Sequence, residues 1–349
     1  MKASFVSSNA ISEAMRYQMM RMQADLVRSE KEVVTGRVAD PGLVLGARAG
    51  QSISLSRDVN RLGTLIDSNG LVSSRLASTQ ASLVQLTDIA NDLLPALTTA
   101  ASGPIDPAIP QTQAKSALST ITSILNTTQN GEYLFAGINT DSKPLNDFDA
   151  PGSAARAAFD TAFNTEFGFP ITDDAAAGIT AEQLNDFMDD LMADEFFGAG
   201  WGTNWSSAAD QEISARITMS ETTQASVSAN EDGIKRLVMA AAFTSYFLEG
   251  ALDDNVKKEV MQRSVGLLGE AVSELGSLQA EVGIIEQRVT SASERVSMQI
   301  DLFKLNINDL EGVDPYEASS RITSLLTQIE VSYSLTARIQ QLSLVRFLG

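Results

Sequence analysis

Between Leu275 and Leu310 the apolar positions are Leu275, Leu278, Val282, Ile285, Val289, Ala292, Val296, Ile300, Phe303, Ile307 and Leu310. They are three or four residues apart and average 3.5, the repeat that keeps one helical stripe facing a partner helix along a coiled-coil seam. The opposite face carries Glu281, Glu286, Gln287, Arg288, Glu294 and Arg295. At about 1.5 Å per residue this helix is roughly 50 Å long, beyond the length of an ordinary globular helix. The alternative is a core helix of a compact bundle; on either reading the rest of the chain supplies its partners.

The remaining pattern is also helical. A first helix is expected from about Ile11, with Met15, Met19, Met22, Leu26 and Val33 on one stripe and Ser29 in the missing position. Met15, Met19, Met20 and Met22 fall within eight residues, and unbranched Met side chains suit an interface that repacks as well as they suit a core. The helix is broken at Thr35-Gly36-Arg37-Val38-Ala39-Asp40-Pro41-Gly42. A second long stripe follows through Leu55, Val59, Leu62, Ile66, Val72, Leu76, Leu83, Leu86, Ala90 and Leu93, with a local kink expected at Asn69-Gly70 and an end by Pro95. Ser102–Pro110 reads as a loop, and Leu118, Ile121 and Leu125 as a third helix. The segments before Pro95 and after Leu275 match in length and are expected to lie antiparallel. Further on, Leu237, Ala241, Phe243 and Phe247 share a helix, and the long helix begins after Asp253-Asp254. Asp314-Pro315-Tyr316-Glu317 after Gly312 has the form of a capping box opening a last helix, with Ile322, Leu325, Ile329, Ile339, Leu342 and Val345 on its stripe.

Composition removes whole classes of chemistry. The chain has no cysteine and no histidine, so disulfides, thiolate nucleophiles, Ser-His-Asp triads and imidazole or thiolate metal sites are out of reach. A net charge of −19 opposes nucleic acid and anionic membrane surfaces. Apolar runs such as Leu237–Phe243 are too short to span a bilayer, and no continuous apolar core follows Lys2 before Arg16, so neither membrane insertion nor a cleaved secretory signal is expected.

The middle of the chain differs in texture. Glu132–Gly137 is short and aromatic and is followed by Asn139-Thr140-Asp141, which reads as a strand and a turn. From Leu145 to Glu212 there are fourteen acidic residues against one basic residue, Arg156, together with eight of the fourteen Phe and both Trp. Acidic residues interleaved with aromatics describe a small folded insert with a hydrated exterior. Within it Ala181–Met192 is expected to be a helix, and Ile213, Ala215 and Ile217 a strand pairing with Ala225–Ala229. Carboxylate pairs such as Asp173-Asp174 and Asp189-Asp190 offer general acid/base chemistry or a cation site in principle, but a solvated acidic face explains them, and no EF-hand spacing is present. Gly198-Ala199-Gly200 lacks the strand–helix context of a phosphate loop. No catalytic, cofactor or metal residue is therefore assigned.

The expected fold is mainly α: a long antiparallel helical bundle or coiled coil formed by both chain ends, with a β-hairpin region and a small mixed α/β or β-rich insert. Residues 1–45 and 311–349 are read as terminal assembly helices. Residues 46–144 and 227–310 form a helical rod with a short strand and turn near 132–144, and 145–226 is the insert. Terminal helices with narrow apolar stripes are marginal alone in water, so Met15, Met19, Met22 and Leu26, with Ile322, Leu325, Ile329, Ile339, Leu342 and Val345, are the candidate assembly interface.

Three segments carry a family resemblance. Asn130-Gly131-Glu132-Tyr133-Leu134-Phe135-Ala136-Gly137-Ile138-Asn139-Thr140-Asp141, ending in Lys143-Pro144, is similar to the G-x-Y-L-F-x-G-x-x-T segment of the flagellin-related hook–filament junction proteins, the hook-associated protein 3 family. Its matching positions are Gly131, Tyr133, Leu134, Phe135, Gly137 and Thr140. Thr35-Gly36-Arg37-Val38 with Asp40-Pro41 resembles the family's S-G-K-R-I stretch and following D-P, shortened by several residues. Ser332-Tyr333-Ser334 and Leu342-Ser343-Leu344, closing on Phe347-Leu348, resemble its C-terminus. The resemblance covers roughly 1–144 and 227–349. It implies a structural, non-enzymatic flagellar subunit exported by the type III flagellar apparatus without a cleaved signal, with an export chaperone. It also implies end helices that order on assembly into a ring of subunits, other hook-associated proteins and flagellin as partners, and an extracellular place at the hook–filament junction. Flagellin itself, or another type III-secreted coiled-coil protein, is the alternative.

Overall fold

A computed structural model describes residues 8–103 and 106–348, and side chains from 10 to 338 apart from residues 12, 104 and 105. The chain divides into two compact units: Leu65–Arg295, and Met1–Thr64 with Val296–Gly349. The architecture is mainly α. Its helices are α1 (Ser8–Thr35), α2 (Pro41–Leu45), α3 (Ala49–Ser102), α4 (Ala108–Leu125), α5 (Ala154–Phe167), α6 (Ala181–Leu191), α7 (Asp232–Phe247), α8 (Asp254–Glu311) and α9 (Pro315–Leu348). Two antiparallel strand pairs accompany them: β1 (Thr128–Gln129) with β2 (Glu132–Tyr133), and β3 (Ser214–Arg216) with β4 (Thr222–Gln224).

In the larger unit, the stripe read from sequence is the buried one. Leu275, Val282, Ile285, Val289 and Ala292 of α8 are buried, as are Leu76, Leu83, Leu86, Ala90, Leu93 and Leu97 of α3. The two helices run antiparallel: Asn69 Nδ2 donates to Ser293 Oγ at 3.1 Å, and Gln279 Nε2 donates to Thr87 Oγ1 at 2.7 Å. Asn69-Gly70 does not break α3. The Asn69 amide, buried in the helix, also reaches the carbonyl of Ile217 at 2.9 Å and ties the β3–β4 hairpin to it. The expected stop at Pro95 is likewise corrected, since α3 continues to Ser102. Pro95 and Asn91, whose carbonyl loses its partner, are exposed, so that carbonyl is open to solvent.

Helix α7 is buried on nearly every side and crosses α8 at close range: a Cβ on Gly233 would lie 2.9 Å from the Glu274 side chain. Arg236 fixes this crossing through Glu270 and Glu274, both at 2.9 Å. The aromatic segment packs into the same core. Phe159 of α5 meets Phe243 and Tyr246 of α7 at ring-centroid distances of 6.0 and 5.3 Å, and Phe148 stacks on Trp205 at 5.2 Å. Residues 145–226 thus share one hydrophobic core with α3, α4, α7 and α8. Within the segment α6 matches the expected helix and closes a capping box between Thr180 and Gln183. The partner of β3 is Thr222–Gln224 rather than 225–229, because the turn closed by Ile217 N–H and the Glu221 carbonyl (3.0 Å) sets the register.

In the smaller unit α1 is already helical at Ser8, the first described residue, ahead of the expected Ile11. Val296, Ile300 and Ile307 of α8 are buried and Phe303 and Leu310 half-buried, so the 3.5 spacing persists to the end of the helix. Asp314 caps α9 through the Tyr316 amide at 2.8 Å, but Glu317 turns to Arg321 at 3.2 Å, leaving the capping box open.

Candidate assembly interface and the family segment

Helices α1 and α9 pack side by side, and three pairs fix their direction. Glu32 meets Arg321 at 3.3 Å, Gln23 Nε2 donates to the Tyr333 hydroxyl at 3.2 Å, and Thr336 Oγ1 lies 3.8 Å from the Met15 sulfur. As the first helix ascends in number the last descends, so the pair is antiparallel. Met15, Met19, Met22 and Leu26 are half-buried along α1, with Ser29 and Glu32 buried. On α9 Ile322 and Leu325 are half-buried and Ile329 is buried. The candidate interface residues are therefore already used, in part, to hold the two chain ends together. Ile339, Leu342 and Val345 lie outside the residues whose side chains are described.

A polar knot closes this pair at one end. Glu32 accepts from the Ala39 amide at 3.2 Å as well as pairing with Arg321. Gly36, at φ 66°, turns the chain so that Arg37 bridges to Gly312, with Val38 N–H donating to the Glu311 carbonyl at 2.8 Å. The Glu311 carboxylate, itself buried, takes the Ser52 hydroxyl and lies 3.6 Å from Arg37. The resemblance segment Thr35–Val38 is thus a junction where helix ends are tied by backbone and charge together.

A second apolar set, which the stripe through Met15 overshadowed, remains uncovered. Tyr17, Met20, Val27 and Val34 on α1 are 59–85% exposed, and Leu326, Val331 and Leu335 on α9 are about half exposed. Met20, Val27 and Val34 recur every seven residues, so periodicity alone could have found them.

The family segment is a tight hairpin followed by a close-packed turn. Asn130 and Gly131 both have positive φ (54° and 87°), the conformation a two-residue hairpin turn favours. Arg75 clamps the hairpin onto α3, its guanidinium donating to Glu132 at 2.9 Å and to the Tyr133 carbonyl at 2.8 Å. Tyr133 N–H donates to the Thr140 carbonyl at 2.9 Å, and Leu134, Phe135 and Ala136 are fully buried. Gly137 has φ 60° and presses on the backbone of Ala209 and Gln211; a Cβ there would lie 2.7 Å from the Gln211 carbonyl oxygen. Only glycine meets both demands.

One member of each carboxylate pair is engaged in structure, and Asp174 and Asp190 lie exposed. Asp173 caps the turn at Ala175 (2.9 Å), and Asp189 pairs with Arg263. Gly198 and Gly200 sit against the backbone of 193–195, which explains them without a phosphate. Among the described residues no group of three Asp or Glu is arranged to hold a metal ion, and no helix is long and apolar enough to cross a membrane.

Two family models match the chain: the bacterial flagellin N-terminal helical region over residues 6–140, and the bacterial flagellin C-terminal helical region over 265–348. Together they span well over half of it. The chain belongs to the flagellin family. It is a structural, flagellin-like protein of the bacterial flagellum, and membership carries a flagellar location and assembly with like subunits and other flagellar components. Comparison with curated protein sequences gives no match. Among solved structures the fold is similar to that of a Vibrio parahaemolyticus protein described as a flagellar hook-associated protein, with TM-score 0.52 and 12% identity over 76% of this chain and 97% of that one. Bacillus cereus FlgL aligns at TM-score 0.49 and 9% identity, over 73% of this chain and 99% of that one. In this flagellin-family protein the N-terminal model ends on Thr140, the last position of the hairpin segment, and the C-terminal model covers the α8 seam and α9.

Proposed function

We propose that this flagellin-family chain is a hook-associated adaptor that joins hook to filament, exported through the type III flagellar apparatus without a cleaved signal and assembled as a ring through its end helices. The observation that carries the assembly half of this reading is the antiparallel α1–α9 pair, which uses one apolar face internally and leaves Met20, Val27 and Val34 uncovered on another. The junction half is supported by the Gly131–Thr140 segment and by the likeness in fold to a protein described as flagellar hook-associated. On this reading its neighbours are other hook-associated proteins and flagellin, and an export chaperone covers the end helices before secretion. Flagellin is the alternative, since it shares the same helical ends.

Val27→Asp tests the reading. The residue is 65% exposed, so the monomer should keep its stability to within about 0.5 kcal/mol and still be exported. In an assembled seam the same carboxylate would be buried without a partner, at a cost of several kcal/mol per subunit. Cells carrying the variant should show hooks without filaments and lose flagellin to the medium. Full-length filaments would refute the interface, and recovery of the wild-type chain along the whole filament, rather than at its hook end, would favour flagellin.

A further inference from the structure

A cavity of about 500 Å³ lies where the base of the β3–β4 hairpin meets α8. Its floor is apolar, from Val227, Leu278, Val282 and Ile285, and its charged lining is Asp210, Glu212, Glu231 and Glu281, with no basic side chain among the residues that line it. Glu212 and Glu231 are half-buried, and Glu281 faces them from α8. The nearest basic group acting on Glu231 is Lys235 of α7, whose amino group is drawn to Asp232 (3.9 Å) and to the ring faces of Phe197 and Trp201. Arg288, further along α8, is turned to Glu221 at 3.9 Å. Asp210 is occupied by the Asn230 amide at 2.7 Å.

The two ends of the hairpin are held differently. At its tip Glu221 takes Arg295 at 3.1 Å, and the Ile217 carbonyl takes Asn69. Among the described residues its base makes no such bond to α8: Ile213 N–H to Ser226 Oγ (2.8 Å), Ala225 N–H to the Ile213 carbonyl (2.7 Å) and the Ser214–Gln224 pair join the strands beside the carboxylates, and Ile138 N–H holds the Gln211 carbonyl (3.0 Å). We infer that the carboxylate cavity is a proton-operated latch: with Glu212 protonated the hairpin base sits closed on α8, and with Glu212 ionised it opens to water while the tip stays fixed. Burial, and then the charges of Glu231 and Glu281, push the Glu212 carboxyl up to about 7. The closed state thus holds a proton that an open, hydrated Glu212 would release near its ordinary 4.5. The latch is tight below that lower value, loosens as pH rises between the two, and is fully loosened above about 7.

Hydrogen exchange on the full chain, corrected for the intrinsic pH dependence of the chemistry, reads this directly. Between pH 5 and 7.5 the amides of Ile213 and Ala225 should exchange about tenfold faster or more, while that of Ile217 does not respond; one unit of differential proton affinity is a factor of ten. Glu212→Gln should abolish the rise. Glu281→Gln, at an exposed site where folding is not at risk, should shrink it and end it at lower pH. A flat wild-type response, a rise that survives in Glu212→Gln, or one untouched by Glu281→Gln would each overturn the latch.

Discussion

Replacing Phe159 with alanine tests whether the aromatic segment and the long helices stand or fall together. The ring is fully buried. Its neighbours are Phe148 at 5.2 Å, Tyr246 at 5.3 Å, Trp205 at 5.9 Å, Phe243 at 6.0 Å and Phe196 at 6.1 Å. Two of these lie on α7, so the cavity left behind would border the helix that packs against both α4 and α8. Phe→Ala in a core costs about 3–5 kcal/mol, and lost edge-to-face contacts of about 0.5–1.5 kcal/mol each place this site at the upper end without adding one by one. A domain is stable by only about 5–15 kcal/mol, so a third or more should vanish. Denaturant unfolding followed by tryptophan fluorescence reads the loss, because Trp205 touches the mutated ring. Exchange of the α7 amides should accelerate in parallel. Phe197→Ala, at a ring 39% exposed, is the control and should cost less than half as much. A loss below about 1 kcal/mol with α7 still protected would refute the single-core account. In that case a Gly/Ser linker could replace 145–226 without harm; on the present packing it would bare Phe243, Tyr246 and Phe247 and reduce helicity.

Gly137→Ala and Gly131→Ala should separate backbone strain from crowding. Both positions have positive φ, worth about 1–2 kcal/mol against any residue with a Cβ, but only Gly137 has backbone in the way, so chemical denaturation should find it the costlier of the two; equal costs would deny the close approach to Gln211. Glu249 supplies a pH effect opposite in sense to that of Glu212. Burial raises its carboxyl, but hydrogen bonds from Lys115 (3.0 Å) and Arg156 (3.1 Å) outweigh that and leave it below 4.5. Its stabilisation is present above pH 4.5 and is lost on acidification below it, so Glu249→Gln should flatten the acid limb of a melting-temperature profile, and an unchanged limb would show the triad to be idle.

How much was legible from sequence depends on whether a residue's partner is written nearby. The α8 seam was, because a 3.5-residue repeat states both the helix and its buried face, and every position of that stripe from Leu275 to Leu310 is buried or half-buried. The hairpin was, because Asn130-Gly131 chooses its turn locally. Pro95 misled because the rule against proline assumes that the orphaned carbonyl has no water, and only the packing of α3 reveals which side faces solvent. The aromatic segment misled in another way. Most of its acidic residues lie on the surface, which gave it the composition of a detached, hydrated insert, but Phe159 and Phe163 find their partners on α7, some eighty residues later. Local composition reports what a segment shows to water and is silent on whose core it fills. The same holds at the chain ends: the stripe of Met15 to Leu26 declares an apolar partner without saying whether that partner is α9 of its own chain or a neighbouring subunit. The antiparallel pairing of Glu32 with Arg321 answers for the first stripe. The exposed face at Met20, Val27 and Val34 meets no such partner among the described residues, which is why the decisive experiment on this protein is a charge placed there and not in the seam.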